Sequence, residues 1–260
     1  MALLTQTVVV ARYRGREHRL TAWFRDAGPD LMLFVHGLGC SKESWREAWS
    51  DRAMSGRSLL AIDLPGFGAS PRPEGFSYDL EEQAGLLASI IDAHASRNLC
   101  VVAHSMGGSI AVLLPEPAAR RIDSLVLVEG RLVSSSCGIA AATACAERSV
   151  FDAETWPKFR RQVASDRSAA FDLDRADRAA FYESGRSLIR WTAGRGLVQR
   201  FESFGCARAF VYGDANRHLD ELALLDPNSL HRVKDAGHFV MNDSPAAFYG
   251  LLGRLCPRAR

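Results

Sequence analysis

Six short apolar runs dominate the chain, and their shape limits the folds open to it. Residues 31–35, 58–62, 99–103, 125–128 and 209–212 are unbroken or nearly unbroken runs of four or five residues, with 229–233 as a weaker sixth. Strict alternation would mark a sheet with one wet face. Unbroken runs suit strands covered on both faces, as in a parallel sheet. Helical patterns separate them. Residues 43–54 put Trp45, Ala48 and Trp49 on one stripe, and 80–95 space Ala84, Leu87, Ile91 and Ala95 by three or four. A helix over 106–114 is stopped by Pro115 and Pro117, and the last helix, 244–255, carries Pro245 in its first turn. Strands alternating with helices predict an α/β fold, a doubly wound parallel sheet with right-handed crossovers. At the N-terminus, β-rich 5–10 and 18–24 flank the turn-like Tyr13-Arg14-Gly15-Arg16, which predicts an antiparallel hairpin.

One interval breaks the rhythm. Residues 131–205 separate two core strands by far more chain than a crossover helix needs. The expected organisation is a core of 1–130 and 206–260, with 131–205 as a helical cap over the C-terminal edge of the sheet. Phe151, Trp156, Phe159, Phe171, Phe181, Tyr182 and Trp191 would form the small core of that cap.

Composition excludes several classes. Among 260 residues, 47% are hydrophobic and 24% charged, which rules out a disordered, collagen-like or coiled-coil chain. The 32 basic and 30 acidic residues leave a net charge of +2, without the basic excess of a nucleic-acid binder. No apolar run reaches the ~18–20 residues that span a bilayer, and no signal peptide is expected at the N-terminus. Six scattered cysteines, without a C-x-x-C pair, read as reduced thiols and predict a cytoplasmic location. The expected partner is a small-molecule substrate, with no nucleic acid and no membrane. A homodimer through the cap stays open.

Three motifs carry chemistry. In Val101-Val102-Ala103-His104-Ser105-Met106-Gly107-Gly108, a strand meets a helix at once. The small flanking residues let the backbone double back and push the Ser105 hydroxyl out at the top of the sheet. His36-Gly37-Leu38-Gly39 follows the 31–35 run directly. The N–H groups of Leu38 and Met106 are the candidate oxyanion donors for acyl transfer. Ala236-Gly237-His238-Phe239 follows the last core strand, so His238 can reach over the sheet edge to take the Ser105 proton. His104, inside the elbow, should point away from Ser105.

The order of these elements, with the Asp63 to Ser70 loop reading D-x-P-G-x-G-x-S and a late Gly-His, resembles the α/β-hydrolase superfamily. Ser105 resembles the nucleophile of its esterase, thioesterase and lactonase branches. The resemblance implies a Ser-His-acid triad and an acyl-enzyme formed on an ester, thioester or lactone. Acid–base cleavage of a C–C bond, and ligand binding without catalysis, are the rival readings. No metal or cofactor is implied.

The acid is the open member. Many relatives place it in a G-x-x-D pattern, but here the segment is Gly213-Asp214-Ala215-Asn216, with an amide at the matching position. Glu129, at the end of the 125–128 run, is the leading candidate, and Asp214 is the alternative. The substrate-pocket candidates are Trp45, His36 and Trp191. Each has a rival structural role: core packing for the two tryptophans, backbone bonding for His36. Cys40 lies near the site without an evident base.

Overall fold

The computed structural model describes residues 4–94, 96, 98–164 and 172–258. Phe171, assigned above to the cap core, lies outside them. The eight strands are β1 (Gln6–Tyr13), β2 (Arg16–Arg25), β3 (Asp30–Val35), β4 (Ser58–Ile62), β5 (Asn98–His104), β6 (Ser124–Val128), β7 (Ala207–Gly213) and β8 (Leu230–Val233). They pair in the order β1-β2-β4-β3-β5-β6-β7-β8. β1 and β2 form the antiparallel hairpin, β2 meets β4 antiparallel, and every pair from β4 to β8 is parallel.

The unbroken runs form buried central strands because both faces are covered. All residues of β3, β4 and β6 are buried. The period of two splits β3 between layers: Leu31, Leu33 and Val35 join one apolar cluster, and Met32 and Phe34 join the other. The first layer holds α1 (Leu80–Ala93), α2 (Met106–Val112) and the short α3 (Glu116–Ala119). Between β6 and β7 the described residues form α4 (Gly138–Cys145), α5 (Arg148–Val150), α6 (Trp156–Ala164), α7 (Arg178–Thr192) and α8 (Gly196–Glu202). After β7 come α9 (Glu221–Leu224), α10 (Val240–Asp243) and α11 (Pro245–Leu255), and the second layer contains α10 and α11.

The expected helix over 43–54 is two shorter 3-10 segments, Lys42–Trp49 and Arg52–Met54. Ser41 caps the first of them, and its stripe still turns Trp45, Ala48 and Trp49 onto the underside of β3 and β4. Pro117 does not end the 106–114 helix. It sits in the first turn of α3, where its missing N–H costs nothing.

Helices between β6 and β7 are tied to the strand ends. Asp177 donates its N–H to Gly66 O at 2.8 Å, and Asp172 donates to Gly39 O at 2.8 Å. The Ser187 hydroxyl accepts the first N–H of α1 at 3.0 Å. Phe151, Trp156, Phe159, Phe181 and Tyr182 pack together, continuous with the sheet's own cluster. α8 packs on α2, in the layer beside the sheet.

Cys100 and Cys256 form a disulfide joining β5 to the end of α11, with their Cα atoms 6.2 Å apart. Four cysteines stay free: Cys40, Cys137, Cys145 and Cys206. The reading of six reduced thiols therefore fails for two of them, and its argument for a cytoplasmic location fails with it. Among the described residues, no helix is long and apolar enough to cross a membrane.

Candidate active site

β3 has β4 on one side and β5 on the other, so the chain reverses its direction of travel across the sheet there. Open α/β sheets hold ligands in the crevice at such a point, beyond the carboxyl ends of the strands. The His36-Gly37 turn leaves β3 there, and Ser105 leaves β5 beside it.

Ser105 stands at φ 53°, ψ −120°, a region costly for any residue with a side chain. Its N–H donates to Val128 O at 3.0 Å, and its carbonyl accepts from Gly108 N at 3.0 Å. Two glycines make this turn fit. A Cβ on Gly37 would lie 2.9 Å from Ser105 Cβ, and one on Gly107 would lie 2.6 Å from His36 O.

Three of the predicted residues meet in a hydrogen-bonded row. Ser105 Oγ lies 3.2 Å from His238 Nε2, and Glu129 Oε2 lies 2.9 Å from His238 Nδ1. Glu129 is fully buried, and the His238 side chain is 26% exposed. Glu129 also accepts from Gly213 N at 3.0 Å and from Asn216 Nδ2 at 3.0 and 2.8 Å. The amide that replaces the usual acid thus clamps the carboxylate arriving from the neighbouring strand. Asp214 turns elsewhere, to an ion pair with Arg217 at 3.5 Å.

A cavity of about 300 Å³ opens beside this row. Ser105, His238, Leu38, Arg131, Ile139 and Leu188 are among its lining residues. Met106 is the first residue of α2, so its N–H has no partner within the helix.

None of the three pocket candidates lines this cavity, and each has a structural reason. Trp45 is fully buried in the other layer, its ring tilted against Phe34 and Phe248. His36 is fully buried, accepts from Leu64 N at 2.9 Å, and its Nδ1–H donates to Gly37 O at 2.8 Å. Trp191 donates its indole N–H to Asp79 at 3.2 Å, at the start of α1. Cys40 does line the cavity, but burial pushes its thiol up to about 12, so it stays protonated.

His104 is fully buried; its Nε2–H donates to the His238 carbonyl at 3.0 Å, and the two rings lie 4.6 Å apart. Two features escaped sequence reasoning: the clamp by Asn216, and Arg131, whose Nη2 lies 3.0 Å from His238 Nδ1. Arg131 follows a strand end by three residues, and that position was its only signal.

Burial, and then the Arg131 charge, holds His238 well below its ordinary 6.5. His104 is held well below 6.5 by burial and the neighbouring His238, and His36 is lowered by burial against the pull of Asp63. All three are therefore neutral bases in the native protein. Below pH 6.5 the unfolded chain binds more protons at these positions than the native state does, so stability present above 6.5 is lost as pH falls. Burial raises Glu129, which works in the opposite direction as one group against three. Each histidine contributes up to about 1.4 kcal/mol per pH unit. The urea midpoint should therefore fall clearly between pH 7.5 and 5.5, and an unchanged midpoint would refute the three neutral histidines.

The profile of the alpha/beta hydrolase family matches residues 32–251. The chain belongs to that family. It is 26% identical over 248 residues to a 2-hydroxy-6-oxo-2,4-heptadienoate hydrolase of Pseudomonas putida, covering 87% of this chain and 88% of that protein. It is 32% identical over 133 residues to the probable lysophospholipase BODYGUARD 2 of Arabidopsis thaliana. That match covers 49% of this chain and only 28% of the plant protein's length. In architecture the chain is similar to an N-acyl homoserine lactonase, AidH, solved as a mutant with N-hexanoyl homoserine. The TM-score is 0.77 at 19% identity, over 98% of this chain and 99% of the other.

Proposed function

We propose that this chain is a serine hydrolase that cleaves an ester, thioester or lactone of a small organic substrate. The observation that carries the reading is the row Ser105–His238–Glu129, beside a cavity at the reversal point of the sheet.

The chemistry follows from the groups present. Nδ1 offers one proton or one lone pair. With Glu129 ionised it carries the proton, donated to Oε2, which leaves Nε2 as the base facing Ser105. Nε2 takes the hydroxyl proton as Oγ bonds to the substrate carbonyl carbon. The carbonyl electron pair moves onto oxygen, where the N–H groups of Leu38 and Met106 hold it. Collapse breaks the bond to the leaving group, which takes the proton from His238. Water repeats the cycle on the acyl-enzyme, releases the acid and restores Ser105. Low basicity in the free protein keeps His238 neutral, and Glu129 offsets the imidazolium as it forms. In this reading α4 to α7 act as the cap, supported by the cavity wall that α4 and Leu188 of α7 supply and by the bonds of Asp172 and Asp177 to Gly39 and Gly66. The substrate is a small molecule, reached without nucleic acid or membrane.

A fluorophosphonate tests the mechanism, because it phosphonylates only an activated serine. Intact-mass analysis should show one adduct per chain on wild type and none on Ser105→Ala. A folded wild type that stays unlabelled would remove the acyl-enzyme reading and favour acid–base C–C cleavage or ligand binding.

A further inference from the structure

Arg131 is the permanently charged side chain in the cavity wall, and among the described residues it has no carboxylate at ion-pair distance. Its Nη2 meets His238 Nδ1, and its Nη1 is buried without a hydrogen-bond partner. Arg131 as a whole is half-buried, and a guanidinium set in a cavity wall with no carboxylate beside it is costly unless an anion completes it. The two carboxylates near it are already engaged. Glu129 serves Asn216, Gly213 and His238. Glu221, fully buried, accepts from Leu132 N at 3.1 Å, Val133 N at 3.4 Å and Ser136 Oγ at 2.6 Å.

The same bonds hold the backbone under Arg131 in place. Its N–H donates to Ser105 O at 3.2 Å, and its carbonyl accepts from Ser109 Oγ. The guanidinium is therefore presented from a fixed base, one imidazole ring away from Ser105. Leu38, Ile139, Ala140 and Leu188 supply apolar wall between these polar groups. A volume of about 300 Å³ sits at the small end of ligand cavities.

We propose that Arg131 receives a carboxylate carried on the acyl part of the substrate, so that the preferred substrates are short-chain half-esters of dicarboxylic acids. The planar fork of the guanidinium suits a carboxylate, and the apolar wall suits the methylenes that link it to the scissile carbonyl. This rests on the serine hydrolase reading and names its substrate class.

The test compares monoethyl glutarate with ethyl pentanoate, which match in chain length and differ by carboxylate against methyl. At pH 7, wild-type kcat/KM should favour the half-ester by roughly 10–100-fold, the worth of a hydrogen bond to a charged group. Arg131→Met should erase the preference, and Arg131→Lys should keep part of it. The ratio is the readout, because loss of Arg131 alters His238 toward both esters alike. Should Arg131→Met fold poorly, the wild-type ratio alone decides. A wild type that labels with fluorophosphonate but shows a ratio near one overturns the proposal and leaves the hydrolase standing, as does a preference that persists in a folded Arg131→Met. If wild type neither labels nor turns over either ester, the hydrolase reading falls. Calorimetric titration with glutarate then decides the anion site: binding lost in Arg131→Met upholds it, and no binding to wild type overturns it.

Discussion

Glu129→Gln should lower kcat by roughly 10⁴-fold toward any ester the wild type cleaves, with little change in melting temperature. Two causes act together. A neutral amide cannot offset the imidazolium that forms as His238 takes the Ser105 proton. Its NH₂ group would also donate to Nδ1, which drives the ring proton onto Nε2 and faces Ser105 with a donor instead of a base. The fold should tolerate the change, because the Gln oxygen can still accept from Gly213 N and Asn216 Nδ2. Asp214→Asn should leave kcat within about twofold, the scale of a surface change away from the reacting groups. Steady-state kinetics on both variants decides the matter. The opposite pattern would move the acid to Asp214 and leave Glu129 a structural carboxylate.

Asp63→Ala should lower the melting temperature by roughly 10 °C, from a loss of about 3–5 kcal/mol. Lys42 Nζ lies 2.7 Å from Asp63 Oδ2, and the two side chains are 1% and 0% exposed. Removing the carboxylate strands a buried ammonium whose remaining contact is the Trp23 ring, 5.4 Å away. It also frees two backbone donors, Lys42 N at 2.7 Å and Ala69 N at 2.8 Å. Lys42→Met should cost less, because the carboxylate keeps both of those donors. The pair joins the loop after β3 to the loop after β4, so loosening it would also disturb the turn that carries Leu38. Thermal melts read this directly. A fall below about 3 °C for Asp63→Ala would mean that the pair does not hold these loops.

Much of the architecture was legible in the chain because burial on both faces leaves a plain mark. The runs at 31–35, 58–62 and 99–103 fall within two residues of β3, β4 and β5. Ser105 and His238 were legible for a related reason. A residue at the carboxyl end of a central strand has one place to go, and the small residues around Ser105 have a use only where β3 and β5 come close.

The rest depended on rotation, register and reach, which one-dimensional patterns do not carry. Trp45 and Trp49 show a stripe, but only docking decides which side of the sheet the stripe meets, and it meets the side opposite Ser105. Cys100 and Cys256 are 156 residues apart and join only because α11 ends beside β5. The acid is the clearest case. In sequence, Asn216 read as a lost carboxylate and Glu129 as one of two substitutes. The pairing of Val128 with Val211 sets the ends of β6 and β7 side by side, so the Asn216 amide reaches Glu129 and orients it toward His238. The sequence by itself determined the sheet, the elbow and the two loops that converge on it, because local burial and backbone sterics dictate these. Only the tertiary structure decided which carboxylate meets His238 and which cation lines the cavity, because both depend on side chains that meet across strands distant in the chain.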